Sequence, residues 1–216
     1  MNTRTIEFRK TVIRYEPGGK VKGRMVQFHK YALHPSPKMR IEWESNGSKG
    51  LMINDGHQAW KFVNGDPATT QEDINAARGN TFGSHYVFCM PFKLRDEGTH
   101  LADLGRATLQ GGQVVEKIRA TYSKGTGDAG GLHRWTFMFD PGSGRLLANH
   151  LEFAPGKYDW TEYYEEKPVG GLVLSTRRLG FHADVNGKIG SKQSEIIYDQ
   201  LRTNVDFPAT YFEPPR

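Results

Sequence analysis

The chain has 216 residues, enough for one β-rich domain with a sizeable core, and its single cysteine, Cys89, excludes an internal disulfide framework and any multi-cysteine zinc site. Lys and Arg number 29 against 24 Asp and Glu, giving a net charge of +5 and a pI near 9.2. The basic residues are dispersed among acidic ones, as in Arg40-Ile-Glu42-Trp-Glu44, which is the pattern of a solvated strand face, so no nucleic-acid partner is expected.

A hydrophobic content of 37% with 12% aromatics and 25 glycines favours many short strands and turns over a helical bundle. No window reaches the apolar length of a membrane span, and Met1-Asn-Thr-Arg is not followed by a signal-peptide core. No composition break divides the chain, which reads as one domain over 1–216.

Thr5 to Ile13 alternates like a strand. His34-Pro35 marks a turn. After it, Met39, Ile41 and Trp43 share one face while Arg40, Glu42 and Glu44 share the other, as in a sheet with one wet side. Leu51-Met-Ile-Asn-Asp-Gly-His-Gln-Ala-Trp60-Lys-Phe62 reads as a hairpin whose Asn54-Asp55-Gly56 turn supplies the positive backbone angles that a short connection needs. Thr70-Gln-Glu-Asp73 is a helix-capping start, and an apolar segment from Phe82 to Met90 is stopped by Pro91. Residues 70–90 are therefore expected to form one or two short helices, broken at Gly79 and Gly83, with Leu101 to Leu104 adding a further helical turn.

Alternation returns with Ile118, Ala120 and Tyr122, then with His133, Trp135, Phe137 and Phe139 before the turn Asp140-Pro-Gly-Ser-Gly144. Leu147, Asn149, Leu151 and Phe153 lead back. Strands are expected over 160–166, 172–183 and 194–204, the last two joined at Asn186-Gly187, and the tail Tyr211-Phe-Glu-Pro-Pro215 reads as a closing strand. That makes nine to eleven strands. A one-sided sheet of this size must curl, be covered by a helix, or enclose a ligand. The expected fold is thus mainly β with minor α: a single curved antiparallel sheet forming a half-open barrel, with 70–90 as a helical lid across the concave side.

The Asp-Gly hairpin with its following Trp60 and Phe62, the tail Phe212-Glu213-Pro214-Pro215, and His34-Pro35 followed by Trp43 together resemble the lipoprotein-localisation family of the LolA and LolB type. The resemblance implies a half-open barrel whose lid and sheet enclose acyl chains. It further implies a non-enzymatic role without cofactors, a lipid or acylated protein as ligand, lipoprotein or membrane partners in the cell envelope, and a periplasmic setting. Members of that family open with a helix before the first strand, and its lipoprotein members carry an acylated cysteine near the start; the chain reads as lacking that segment. His34 stands where the family's carrier has an arginine that helps to latch the lid. Histidine is shorter and mostly neutral at pH 7, so a permanent charge-assisted latch is not expected there.

Strand phase nominates Met39, Ile41, Trp43, Trp60, Phe62, Trp135 and Phe137 as the ligand wall, with Phe82, Tyr86, Phe88 and Met90 from the lid. The Trp60 ring is expected to face the concavity. A charge at Phe88 is expected to weaken acyl binding while leaving the sheet folded. The same aromatics also suit a filled core, and the sequence does not separate the two. His150-Leu-Glu152 and His182-Ala-Asp184 each put a histidine and a carboxylate on one strand face, but no local cluster supplies the three or four ligands of a metal site. Ser84-His85 and Cys89 lack a nucleophile motif. Gly125-Thr-Gly-Asp-Ala-Gly-Gly131 lacks the lysine of a phosphate loop and reads as a hairpin tip. Two alternatives remain: an interaction module with a filled core, and a small barrel enzyme with a histidine and a carboxylate in its cavity.

Overall fold

The computed structural model describes residues 3–45 and 47–215. Thirteen strands and one long helix follow in the order β1 (Thr5–Tyr15), β2 (Val21–Ala32), β3 (Lys38–Ser45), β4 (Ser48–Asn54), β5 (Ala59–Val63), β6 (Asp66–Ala68), α1 (Gln71–Phe88), β7 (Thr99–Thr108), β8 (Val114–Tyr122), β9 (Arg134–Phe139), β10 (Leu146–Ala154), β11 (Lys157–Val169), β12 (Leu172–Ala183) and β13 (Ile189–Thr203). Among the described residues they form one antiparallel sheet, ordered β6-β5-β4-β3-β2-β1-β13-β12-β11-β10-β9-β8-β7. The terminal strands β1 and β13 pair at its centre. Its two free edges, β6 and β7, are therefore consecutive in sequence, and the chain between them carries α1.

Local chemistry explains the turns. Asn54 Oδ1 accepts from the Gly56 amide at 2.9 Å, and Asp55 Oδ1 accepts from the His57 and Gln58 amides, with Gly56 at φ +95°. At the β12–β13 hairpin, Asp184 Oδ1 accepts from the amides of Asn186 and Lys188.

The Thr70 hydroxyl caps α1 by accepting from the Asp73 amide at 3.1 Å, and Asp73 accepts from Lys61 Nζ at 2.5 Å, pinning the first turn to β5. Gly79 and Gly83 do not break the helix, which runs unbroken for 18 residues. The packing of Ala77, Thr81, His85 and Phe88, all buried, outweighs the roughly 1 kcal/mol propensity cost of each glycine.

Phase fixes which face the helix covers. Phe8, His29, Ile41 and Met52 lie side by side across β1 to β4, and Phe8 stacks on Phe88 at 4.0 Å between ring centroids. Asn54 Nδ2 donates to Thr81 Oγ1 at 3.1 Å. One buried cluster joins Ile6, Phe8, Tyr31, Met39 and Ile41 to Ala77 and Phe88. A second joins Tyr86 and Met90 to Ala120, Trp135, Phe137 and Tyr163 in the other half of the sheet. The helix thus lies across the concave side.

Several expectations change. The sheet has more strands than expected. Leu101 to Leu104 lies in β7, an exposed edge strand, where hydrogen bonding to β8 overrides a weak helical pattern. The tail is no strand: Ala209–Phe212 is a turn of 3-10 helix, held on the outer face by Arg40 and Lys30 over the Tyr211 ring. Trp60 and Phe62 occupy the face opposite the helix. The register Asn54 to Ala59 gives the inner phase to Ala59 and Lys61 and pairs Trp60 with Ile53, itself opposite Arg40; a one-residue change of phase reverses the face of every side chain in a strand.

Candidate functional site

The space directly beneath α1 is filled. Met39, Ile41, Tyr86, Phe88, Met90, Trp135 and Phe137 are all buried, none more than 4% exposed. Their environment is dry enough to hold buried titratable groups neutral: burial pushes His85 down to about 3, His29 well below the ordinary imidazole value, and the Cys89 thiol up to about 12. His29 Nδ1 shares a 2.6 Å hydrogen bond with the Tyr31 hydroxyl. Cys89 is accordingly a packing thiol rather than a nucleophile.

A charged latch does hold the helix, from a residue the sequence reading did not single out. Arg178 on β12, 2% exposed, donates through Nη1 to the Val87 carbonyl at 2.8 Å and through Nη2 to the Phe88 carbonyl at 3.4 Å. It thereby binds the partial negative charge at the helix C-terminus. Its guanidinium lies over the rings of Tyr163 and Tyr198, at 4.9 and 4.8 Å. His34 lies instead beside the tail, lining a groove with Phe207 and Phe212.

Beyond Phe88 the concave face is bare from β1 to β3, while Tyr198 and Arg178 stay buried against the end of the helix. The next row along the strands is Tyr198, Lys10, Gln27, Trp43 and Gly50, and the row after it holds Arg178, Ile196, Val12 and Met25. Lys10, Val12, Met25, Gln27, Trp43 and Ile196 are half-buried. The Trp43 ring lies flat across Gly50, where a Cβ would come within 2.0 Å of it. Any other residue at position 50 would lift the indole off the sheet. Apolar surface here is continuous with the core and open to solvent.

This face is also electrostatically one-sided. In the inner phase β1, β2 and β3 carry no Asp or Glu, and neither do residues 172, 174, 176, 178 and 180 of β12 or 194, 196 and 198 of β13. Most carboxylates of these strands face outward onto partners: Asp199 with Arg9, Glu42 with Lys30 and Arg40, Glu195 with Arg177 and Lys192, and Glu7 with Arg202. The hydrogen bond from Lys192 is the largest cause holding the Glu195 carboxyl down at about 2, with Arg177 and Tyr15 adding to it.

At the opposite end of the half-barrel, a cleft of about 960 Å³ opens between the outward side of α1, the β2–β3 and β4–β5 turns and the loop 125–133. Met39 and Phe82 contribute apolar surface to it, and Asn54, His57, Arg78, Asp128 and His133 make it polar elsewhere. Phe82 is exposed. The glycine-rich loop is tied down here: Asp128 is buried and accepts from His133 Nδ1 at 2.7 Å. No serine, cysteine or further titratable group is hydrogen-bonded to His133 among the described residues, so the pair lacks the nucleophile that would complete a catalytic constellation. Nor is any group of three or more His, Cys, Asp or Glu placed to hold a metal among the described residues.

Of the nominated residues, then, Trp43 borders the bare stretch, Phe82 and Met39 border the cleft, Trp60 and Phe62 stand on the outer face, and the others fill the core. Lys10 and Arg178 were missed. Their signal was available as cations in the apolar phase of their strands, Lys10 between Phe8 and Val12 and Arg178 after Leu172 and Leu174.

No family model matches the chain, and no curated protein matches it. Solved structures do. A DUF1329 family protein from Desulfovibrio piger is 12% identical with a TM-score of 0.63, covering 98% of this chain and 90% of its own. A LolA superfamily protein from Nitrosomonas europaea is 11% identical with a TM-score of 0.64, covering 98% and 91%. A putative outer membrane lipoprotein-sorting protein domain from Vibrio parahaemolyticus is 11% identical with a TM-score of 0.59, covering 97% and 88%. The likeness spans nearly the whole chain and concerns the fold. No helix among the described residues is long and apolar enough to cross a membrane.

Proposed function

We propose that the protein is a non-enzymatic binder of an acyl chain, presented by a lipid or an acylated protein, and that it works in the cell envelope as a carrier or sensor. The observation that carries this reading is the bare stretch of the concave face, where Val12, Met25, Trp43 and Ile196 remain half-buried although they continue the buried core. An acyl chain laid there would complete what α1 leaves uncovered, and each buried methylene contributes about 0.8 kcal/mol. The fold shared with a putative lipoprotein-sorting domain supports the same reading.

The test is a titration with fluorescent acyl probes of increasing length. Affinity should rise with each added methylene and fall when Trp43 is replaced by Ala. The filled core beneath α1 favours a second reading, an interaction module without a ligand. Binding that is absent or independent of length in a folded protein would select that module.

A further inference from the structure

We propose that the stretch of the concave face around Lys10 seats the anionic head group, carboxylate or phosphate, of a single-chain amphiphile whose tail lies along Trp43, Met25, Val12 and Ile196. The proposal rests on the acyl-binding reading above and adds the chemistry of the head.

The geometry begins with strand phase. Lys10 is paired across the ladder with Tyr198 on one side and Gln27 on the other, and Tyr198 belongs to the buried cluster that touches Phe8 and Phe88. The Lys10 stem therefore points into the concavity, unlike that of its neighbour Arg9, which reaches outward to Asp199 at 2.7 Å. Lys10 is half-buried on that wall, beside the half-buried Val12, Gln27 and Trp43.

Among the described residues Lys10 makes no side-chain hydrogen bond and no ion pair, although 13 ion pairs are formed elsewhere. A buried ammonium is ordinarily paired, because its desolvation is otherwise uncompensated. Here the charges nearest to it are of the same sign: Arg178, which faces it from β12, and Arg14, two rows along its own strand. Burial first, then these two guanidiniums, lower the Lys10 ammonium to about 8. Three cations thus surround a carboxylate-free stretch of an otherwise apolar wall.

That arrangement is complementary to one class of ligand. An anion reaching this stretch of the wall would supply the missing partner to Lys10, gain a rim contact from the exposed Arg14, and find Gln27 as a neutral donor. An uncharged head would leave Lys10 unpaired and so lose this differential. The attached tail would meet only apolar side chains.

The experiment compares three ligands with one tail, namely oleate, oleoyl lysophosphatidate and monooleoylglycerol, on the whole chain and on Lys10→Met, Lys10→Arg and the exposed-site control Lys22→Met. The expected result is that the wild type prefers at least one anionic ligand to the neutral one by tenfold or more. That preference should vanish in Lys10→Met, persist in part in Lys10→Arg, and be untouched in Lys22→Met. Whichever anion shows the larger preference identifies the head as carboxylate or phosphate. Equal affinity for all three ligands in the wild type, or a preference surviving in a folded Lys10→Met, overturns the proposal while leaving acyl binding intact. Failure of all three to bind overturns acyl binding itself.

Discussion

Replacing Lys10 by Met should stabilise the unliganded protein, the reverse of what a large-to-small core substitution does. In the folded state the ammonium is lowered from 10.5 to about 8, and at about 1.4 kcal/mol per pH unit that fall represents a penalty of about 3.5 kcal/mol for holding the charge in place. Met fills nearly the same volume, brings no charge and prefers apolar surroundings. A gain of roughly 1–3 kcal/mol at pH 7 is therefore expected, read as a higher urea midpoint with an unchanged m-value. The pH dependence gives the sharper check. Below about pH 8 the residue is protonated in both states and the penalty is constant. Between about 8 and 10.5 the folded chain has released the proton while the unfolded chain still binds it, so wild-type stability rises with pH through that window. The gap between variant and wild type should close over the same window. A variant less stable than wild type at pH 7, or a gap that ignores pH, would refute the argument that Lys10 is held there at a cost. Such a cost, unrelieved by the fold, is what a binding residue carries.

Two further substitutions separate the faces of the sheet. Phe88→Ala should cost about 3–5 kcal/mol, because its ring stacks on Phe8 and meets Tyr198; amide exchange over 71–88 would report the loosened helix, and unchanged protection there would show that Arg178 alone suffices as the latch. For the same reason a charge at Phe88 should unfold the protein rather than selectively weaken ligand binding, against the sequence-based expectation. Trp60→Ala should cost only about 1–2 kcal/mol, since the ring is half-buried, and should leave acyl-probe affinity unchanged; a loss of affinity would mean that the outer face takes part in binding.

The fold was legible because its determinants are local and repeated. Period-two alternation in Met39, Ile41 and Trp43, the Asn54-Asp55-Gly56 turn and the capping sequence Thr70 to Asp73 each specify a strand, a reversal or a helix start without reference to distant residues. What was not legible depends on long-range pairing. Gly79 and Gly83 read as breaks because propensity is local, whereas the contacts that keep α1 continuous come from β1, β3, β4, β5 and β12, up to 91 residues away in the chain. Trp60 was given the wrong face because alternation within β5 defines two phases and leaves their assignment to the register with β4. Which of the two is inner follows from Lys61 reaching Asp73 and Ala59 meeting the helix, neither of which the hairpin sequence contains.

The same ambiguity hid the most informative pair in the chain. Arg9 and Lys10 are adjacent and chemically alike, and in sequence they read as one basic dipeptide on a strand that also carries Glu7. The pairing of β1 with β13 separates them. Arg9 is delivered to Asp199 on the outside, an exposed charge pair of the kind that contributes little to stability, and Lys10 is delivered to a wall where every neighbouring charge repels it. Outside, a cation has carboxylates from several strands within reach; inside, none of the strands from β3 across to β12 offers one over the stretch that faces Lys10. A fold under selection for stability alone would gain by exchanging Lys10 for an apolar residue, since nothing in the unliganded interior compensates it. Its position is accounted for when the compensating charge arrives with a ligand, and the apolar row beside it specifies what that charge must be attached to.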